Sequence, residues 1–274
     1  MTTVTGETLR PLSRAADRMR QVVNVLTFIA VIAANGMAGA GAISGESIGV
    51  IANRYSSYFL PADYVFAIWI LIYLMLLVFT AYQALPGSQD RPVLRRVGWW
   101  WAINGVLNIA WVTTFSFGLF GSSLIVMLAL LGTLVIIHRR VALDAGWTWP
   151  ERLAVTYPFD LYFSWICIAV IVNTFQFVTY MEWSRLALDQ PVWAAGMAVL
   201  ATSVGLFLVW RRRLWIFPLV VAWALVGIAL RFGEIAVIAR TSWVMAVAGL
   251  VFTPVVLHRF PLLKPSATSP RRVI

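Results

Sequence analysis

The sequence predicts an all-α membrane protein of eight transmembrane helices with both termini cytoplasmic. Three observations carry this. The chain is 61% hydrophobic and only 12% charged, whereas soluble domains carry about a quarter charged residues. Its apolar residues gather into eight stretches, roughly 22–43, 61–85, 97–118, 121–138, 153–180, 191–210, 214–230 and 241–258, each close to the ~17–25 residues that cross a bilayer as a helix. Finally, the 21 basic residues divide 17 to 4 between the two sides that these stretches define.

Taken in order, Arg10, Arg14, Arg18 and Arg20 precede the first span, and Arg91, Arg95 and Arg96 follow the second. Arg139, Arg140 and Arg152 follow the fourth, Arg211, Arg212 and Arg213 the sixth, and Arg259, Lys264, Arg271 and Arg272 close the chain. The opposite side holds only Arg54, Arg185, Arg231 and Arg240. Positively charged loops stay cytoplasmic, which sets the orientation. Residues 1–21 read as a loose basic segment and 261–274 as a basic tail. The first apolar run approaches 20 residues, longer than the ~7–15 of a cleaved signal core, so it is expected to remain.

Tight connections at 117–122 and 211–213 make their helices antiparallel neighbours, so one compact bundle is expected. The long exception is the first outer loop, 44–60, "SGESIGVIANRYSSYFL". Loops of this length are uncommon and usually functional or disordered. Its aromatics Tyr55, Tyr58 and Phe59 favour packing on the bundle mouth, so it reads as a lid. The glycines from Gly36 to Gly49 close a membrane helix instead of following a strand, so they favour close helix packing over phosphate binding.

Composition also excludes functions. The net charge of +10 sits in cytoplasmic loops, which suits anionic lipid headgroups and not nucleic acid. Cys167 is the only cysteine, so no intramolecular disulfide can form. His138 and His258 each end a helix beside an Arg and read as interfacial; no cluster has metal-ligand spacing. No catalytic triad, phosphate loop or paired-carboxylate arrangement is visible, so the chain reads as a non-enzyme that requires no cofactor or metal.

The chain holds 14 tryptophans. An interfacial aromatic belt accounts for Trp99, Trp100, Trp101, Trp147, Trp149, Trp183, Trp193 and Trp243. It does not account for Trp69, Trp111, Trp165 and Trp223, which lie inside spans and either fill space or wall a cavity. Counting about 1.5 Å per residue from each outer helix end, Asn35 and Trp69 lie near ~12 Å, Asn108 near ~15 Å, and Trp111 and Asn173 near ~10 Å. Polar residues at one depth suit either a chamber with Trp165 at its edge or hydrogen bonds that join helices. Asp160 is the one acid deep in a span, where a proton-coupling role competes with a structural hydrogen bond or a pairing with an inner-loop Arg. Asp63 opens the second helix after Pro61, where an acid is favourable.

At these residues the chain resembles the tryptophan-rich sensory protein / translocator protein family. "PADYVFAIWILIYLMLLVFTAYQ" is similar to that family's Pro-rich start followed by a Trp and, four residues on, a Tyr: here Trp69 and Tyr73. "NGVLNIAWVTTFSFG" looks like its Leu-Asn-x-x-Trp-x-x-x-Phe pattern in Leu107, Asn108, Trp111 and Phe115. "YPFDLYFSWICIAVIVN" carries the Trp and the Asn eight residues later, Trp165 and Asn173.

The resemblance covers about residues 22–180. It implies a five-helix translocator-protein-like core whose pocket, lined by Trp69 and covered by the first loop, takes porphyrins and in some members sterols. Tyr73 joins the ligand-binding set by this resemblance alone. Two features depart from the short members: Pro158 stands seven residues before Trp165 where they have a Pro about four before, and residues 181–260 add three helices. Those added helices look like the extension of longer bacterial proteins grouped with the family, which implies the bacterial inner (cytoplasmic) membrane. The seventh helix carries Trp223 and Gly227 on one face, suited to close packing on a neighbour. The expectation is a membrane receptor or sensor for a flat hydrophobic small molecule, first of all a bound porphyrin or other tetrapyrrole. A secondary transporter and a structural partner of another membrane protein are the alternatives, and a homodimer or membrane-protein partner is compatible with each.

Overall fold

Long apolar runs without turn residues leave the backbone no partner but itself, and helix is the result. The computed structural model describes residues 14–55, 57–88, 91–142, 147–182 and 190–259, and no strand occurs among them. Expectations that concern residues 1–13, Trp183, Arg185 and the tail after Arg259 lie outside the described residues.

In chain order the helices are α1 (Arg14–Gly39), α2 (Ile48–Arg54), a 3-10 turn (Asp63–Ala67) leading into α3 (Ile68–Ala84), α4 (Pro92–Val97), α5 (Trp100–Ser116) and α6 (Phe120–Ala142). A short α7 (Trp149–Glu151) and a π-helical segment (Arg152–Thr156) lead into α8 (Tyr157–Tyr180). Then come α9 (Gln190–Arg212), α10 (Ile216–Arg231) and α11 (Ala236–Arg259). The π segment sits just before Pro158, whose missing N–H and ring would disrupt an ordinary α-helical turn.

Among the described residues, six helical stretches are long and apolar enough to cross a membrane: Ala15–Gly39, Asp63–Ala84, Phe120–Val141, Trp149–Tyr180, Gln190–Arg212 and Ala236–Arg259. The two remaining expected spans form shorter helices, α5 with 17 residues and α10 with 16. Both are trimmed by left-handed turns: Gly98 at φ 58° separates α4 from α5, and Arg213 at φ 59° turns the chain between α9 and α10. Glycine adopts that conformation freely, whereas Arg213 carries a steric cost.

The described residues form two compact units, not the single bundle expected from the tight loops. In the first, α1 packs on α3 and α5, α5 on α6, and α8 on both α6 and α3. In the second, α9, α10 and α11 pack on one another. The first loop is divided between them: α2 and Ser57 belong to the first unit, and Tyr58–Val65 to the second. Residues of that loop find their partners far along the chain, which a loop-length argument cannot detect.

The first unit starts earlier than expected. Residues 14–21 are the opening turns of α1, and Asp17 and Arg20 are buried. Asp17 binds Arg20 at 2.9 Å and Arg95 at 2.7 Å, while Asn24 donates to Gln83 Oε1 at 2.9 Å. Trp101, expected in the interfacial belt, is 1% exposed. It meets Phe79 and Phe159 edge-on, each at 5.9 Å, and its indole donates to the Asn24 carbonyl at 3.2 Å. Trp100 fits the belt better, with the Arg140 guanidinium over its ring. On α3, Ile70, Leu71, Leu74 and Leu77 remain exposed, an apolar face suited to lipid tails.

Candidate functional site

The candidate site is an aromatic cluster centred on Trp69. Trp69 and Tyr73 are one helical turn apart on α3 and stack with centroids 5.5 Å apart and 23° between planes. From α5, Trp111 stacks on Trp69 at 5.9 Å and 25°. From α8, Tyr162 and Trp165 meet the same indole edge-on at 6.0 and 6.2 Å. Phe66 in turn lies edge-on to Trp165 at 6.1 Å. Such ring pairs contribute about 0.5–1.5 kcal/mol each beyond their buried area.

Each helix brings its residues here by its own period. On α5, Asn104, Asn108, Trp111 and Phe115 are spaced four, three and four apart and are all buried, so they share one face. On α8, Tyr162 and Trp165 are three apart and each 1% exposed. Trp69 itself is half-buried.

The polar groups around the cluster divide into two kinds. One kind is fully engaged. Asn35 Nδ2 donates to the Val31 carbonyl at 2.9 Å and to Asn108 Oδ1 at 2.7 Å; Asn108 Nδ2 then donates to the Tyr162 hydroxyl at 2.8 Å. This chain joins α1, α5 and α8 beside the rings. The other kind has no partner. Tyr73 Oη, Trp111 Nε1 and Trp165 Nε1 are buried without a hydrogen bond, and all three belong to rings that touch Trp69. An unmet buried donor costs about 1–3 kcal/mol, a cost that a ligand supplying acceptors would remove.

A family model described as TSPO-like protein matches residues 21–255. The chain belongs to the TSPO-like protein family. The matched region contains all of the cluster, and it also runs through α9, α10 and most of α11. No curated protein and no solved structure matches the chain.

In this TSPO-like fold the other expected site residues have partners of their own. Asn173 Nδ2 donates to Ser123 Oγ at 3.3 Å, which ties α8 to α6. Tyr55 packs edge-on against Phe120 at 5.2 Å and Tyr180 at 5.3 Å. A relay of rings leads from it toward Trp69, Phe120 to Phe115 at 5.3 Å and Phe115 to Trp111 at 5.8 Å. Nearby, Gln176 Nε2 donates to the Ala52 carbonyl at 2.9 Å and so anchors α2 on α8. Tyr58 and Phe59 lie in the second unit, where Tyr58 packs on Phe232 at 5.5 Å.

Tyr162 is the residue that sequence reasoning missed. Its signal was available, since it precedes Trp165 by three positions on the same helical face. Asp160 also has a partner other than the expected arginine: His138 Nδ1 lies 2.9 Å from its Oδ1. The imidazole stacks on Phe163 at 5.4 Å and 10°, and its Nε2 is buried without a partner. His138 therefore takes part in the α6–α8 contact. Among the described residues, no group of three His, Cys, Asp or Glu could hold a metal.

Proposed function

We propose that this TSPO-like protein is a receptor or sensor of the bacterial inner membrane that binds a flat hydrophobic ligand, first of all a tetrapyrrole, at the Trp69 cluster. In this reading all eight long helices span the bilayer, with α5 and α10 as its short spans and both termini cytoplasmic, as the 17-to-4 basic division requires. The observation that carries the reading is the set of three unpartnered donors on rings that pack against one indole, two stacked and one edge-on. Parallel rings offer a flat molecule two faces, and the Tyr73, Trp111 and Trp165 donors offer its acceptors hydrogen bonds. A tetrapyrrole fits both demands, through its ring face and through its carboxylate or pyrrole nitrogen acceptors.

The test is titration of the purified protein with protoporphyrin IX, read by quenching of tryptophan fluorescence and by the absorption band. Saturable quenching that Trp69→Ala weakens supports the reading; unsaturable, Trp69-independent quenching rejects it. A secondary transporter is favoured by one observation, the His138–Asp160 pair within a span, because acid–imidazole pairs there suit proton coupling. Porphyrin flux into sealed vesicles that responds to a proton gradient would select it.

A further inference from the structure

Residues 58–65 lie along α10, held by contacts spread over most of their length. Trp223 Nε1 donates to the Val65 carbonyl at 3.0 Å. The Ala62 amide donates to the Gly227 carbonyl at 3.2 Å, and Arg231 Nη1 to the Pro61 carbonyl at 3.2 Å. Tyr64 meets Trp223 edge-on at 5.3 Å, and Tyr58 meets Phe232 at 5.5 Å. The partners fall from 65 to 58 as α10 rises from 223 to 232, so segment and helix run antiparallel. Gly227 is the condition for this approach. A Cβ there would stand 2.1 Å from Val65 Cγ2 and 3.2 Å from Pro61 Cβ, so the stiff Val65 side chain or the backbone around it has to shift.

The consequence follows from what comes next in the chain. The 3-10 turn Asp63–Ala67 leads directly into α3 at Ile68, and Trp69 is that helix's second residue. A helix start has four N–H groups without intrahelical partners, so its position is set by what precedes it. No side-chain cap bonds the start of α3.

We propose that α10 is a positioning element for the aromatic site: Trp223 and Gly227 fix the backbone at Val65 and Pro61, and thereby the start of α3 and the placement of the Trp69 indole. The coupling runs along the chain, through the four peptide bonds from Val65 to Trp69. Only its last consequence, an effect on ligand affinity, rests on the reading of Trp69 as a ligand-binding residue. The placement of α3 can be measured without a ligand.

Three variants of the full-length protein in detergent test this. Trp223→Phe removes the indole donor and keeps a ring beside Tyr64. Gly227→Ala inserts the clashing Cβ. Gly227→Ala with Val65→Ala removes the atom it strikes. Hydrogen exchange of residues 66–72 reports the start of α3, with α9 and α11 as folding controls, and protoporphyrin IX titration reports the site. Trp223→Phe and Gly227→Ala should each speed exchange at 66–72 by roughly two- to tenfold, the scale of one lost hydrogen bond. They should weaken protoporphyrin binding by a similar factor and leave α9 and α11 unchanged. The double variant should recover most of both losses.

Unchanged exchange at 66–72 in both single variants would overturn the proposal. Faster exchange with undiminished protoporphyrin affinity would overturn the positioning role while leaving the ligand reading intact. If the parent protein does not bind protoporphyrin, the ligand reading fails and the exchange result alone decides the role of α10. If Gly227→Ala does not fold, Trp223→Phe carries the test.

Discussion

The indoles of Trp69 and Trp111 stack at 5.9 Å with 25° between their planes, although the two residues stand 42 positions apart in the sequence. With Tyr73 on α3 they line up three near-parallel rings. A flat ligand has to lie over this stack or part it, and parting it frees a face of the Trp69 indole. Trp69→Ala should remove about 1–3 kcal/mol of protoporphyrin binding, the range for losing a large apolar contact. Trp69→Phe should lose less, because a ring remains for Tyr73 and Trp111. Fluorescence titration of the two variants against the parent protein checks the order.

The amides around the cluster separate by role. Asn108→Leu breaks the chain from Asn35 to the Tyr162 hydroxyl and takes the amide partner from the buried Tyr162 hydroxyl. It should lower stability by about 1–2 kcal/mol and disturb ligand binding as well, since Tyr162 touches Trp69. Asn173→Leu cuts only the α8–α6 bond to Ser123 and should cost less than about 1 kcal/mol with ligand affinity unchanged. Thermal unfolding in detergent and porphyrin titration, measured together, distinguish them. Equal ligand effects in both variants would return Asn173 to the site.

The His138–Asp160 pair should behave as a unit. His138→Leu leaves the Asp160 carboxyl buried without its partner and should cost about 1–3 kcal/mol. Adding Asp160→Leu should recover part of that loss, because replacing both members removes the unmet group. A double-mutant cycle on the unfolding midpoint measures the coupling, and additive single effects would mean that the 2.9 Å contact contributes nothing.

Asp17 sits between two cations and is 1% exposed. Asp17→Ala should destabilise the first unit by about 2–4 kcal/mol, since Arg20 is left buried without that partner. Arg95, a third exposed, should cost less when changed to Met. The loss from Asp17→Ala should persist in high salt, because burial shields the contact from screening ions. A salt-sensitive loss would place this cluster at the surface.

The topology has its own test. A reporter fused after Ile274 should be active only in its cytoplasmic form, as the division of basic residues demands. An external carboxyl terminus would reject the orientation.

The sequence by itself determined that the fold is helical and where six long apolar helices run, because span length and hydropathy are local properties and the bilayer imposes them segment by segment. It also gave Asn35, Trp69, Asn108, Trp111 and Asn173 similar expected depths, since expected depth follows from residue number along a helix of known rise. What depth cannot say is which way a side chain faces across the bundle. Only tertiary packing sent Asn173 to Ser123, joined Asn108 to Tyr162, drew Trp101 out of the interfacial belt and gave Asp160 a histidine. The face shared by Trp223 and Gly227 was readable from their spacing, but its occupant was not. That occupant is a segment some 160 residues earlier, from a loop whose two halves pack in different units. Contacts this distant leave no periodic trace in either partner, so they exist only once the helices have been brought together.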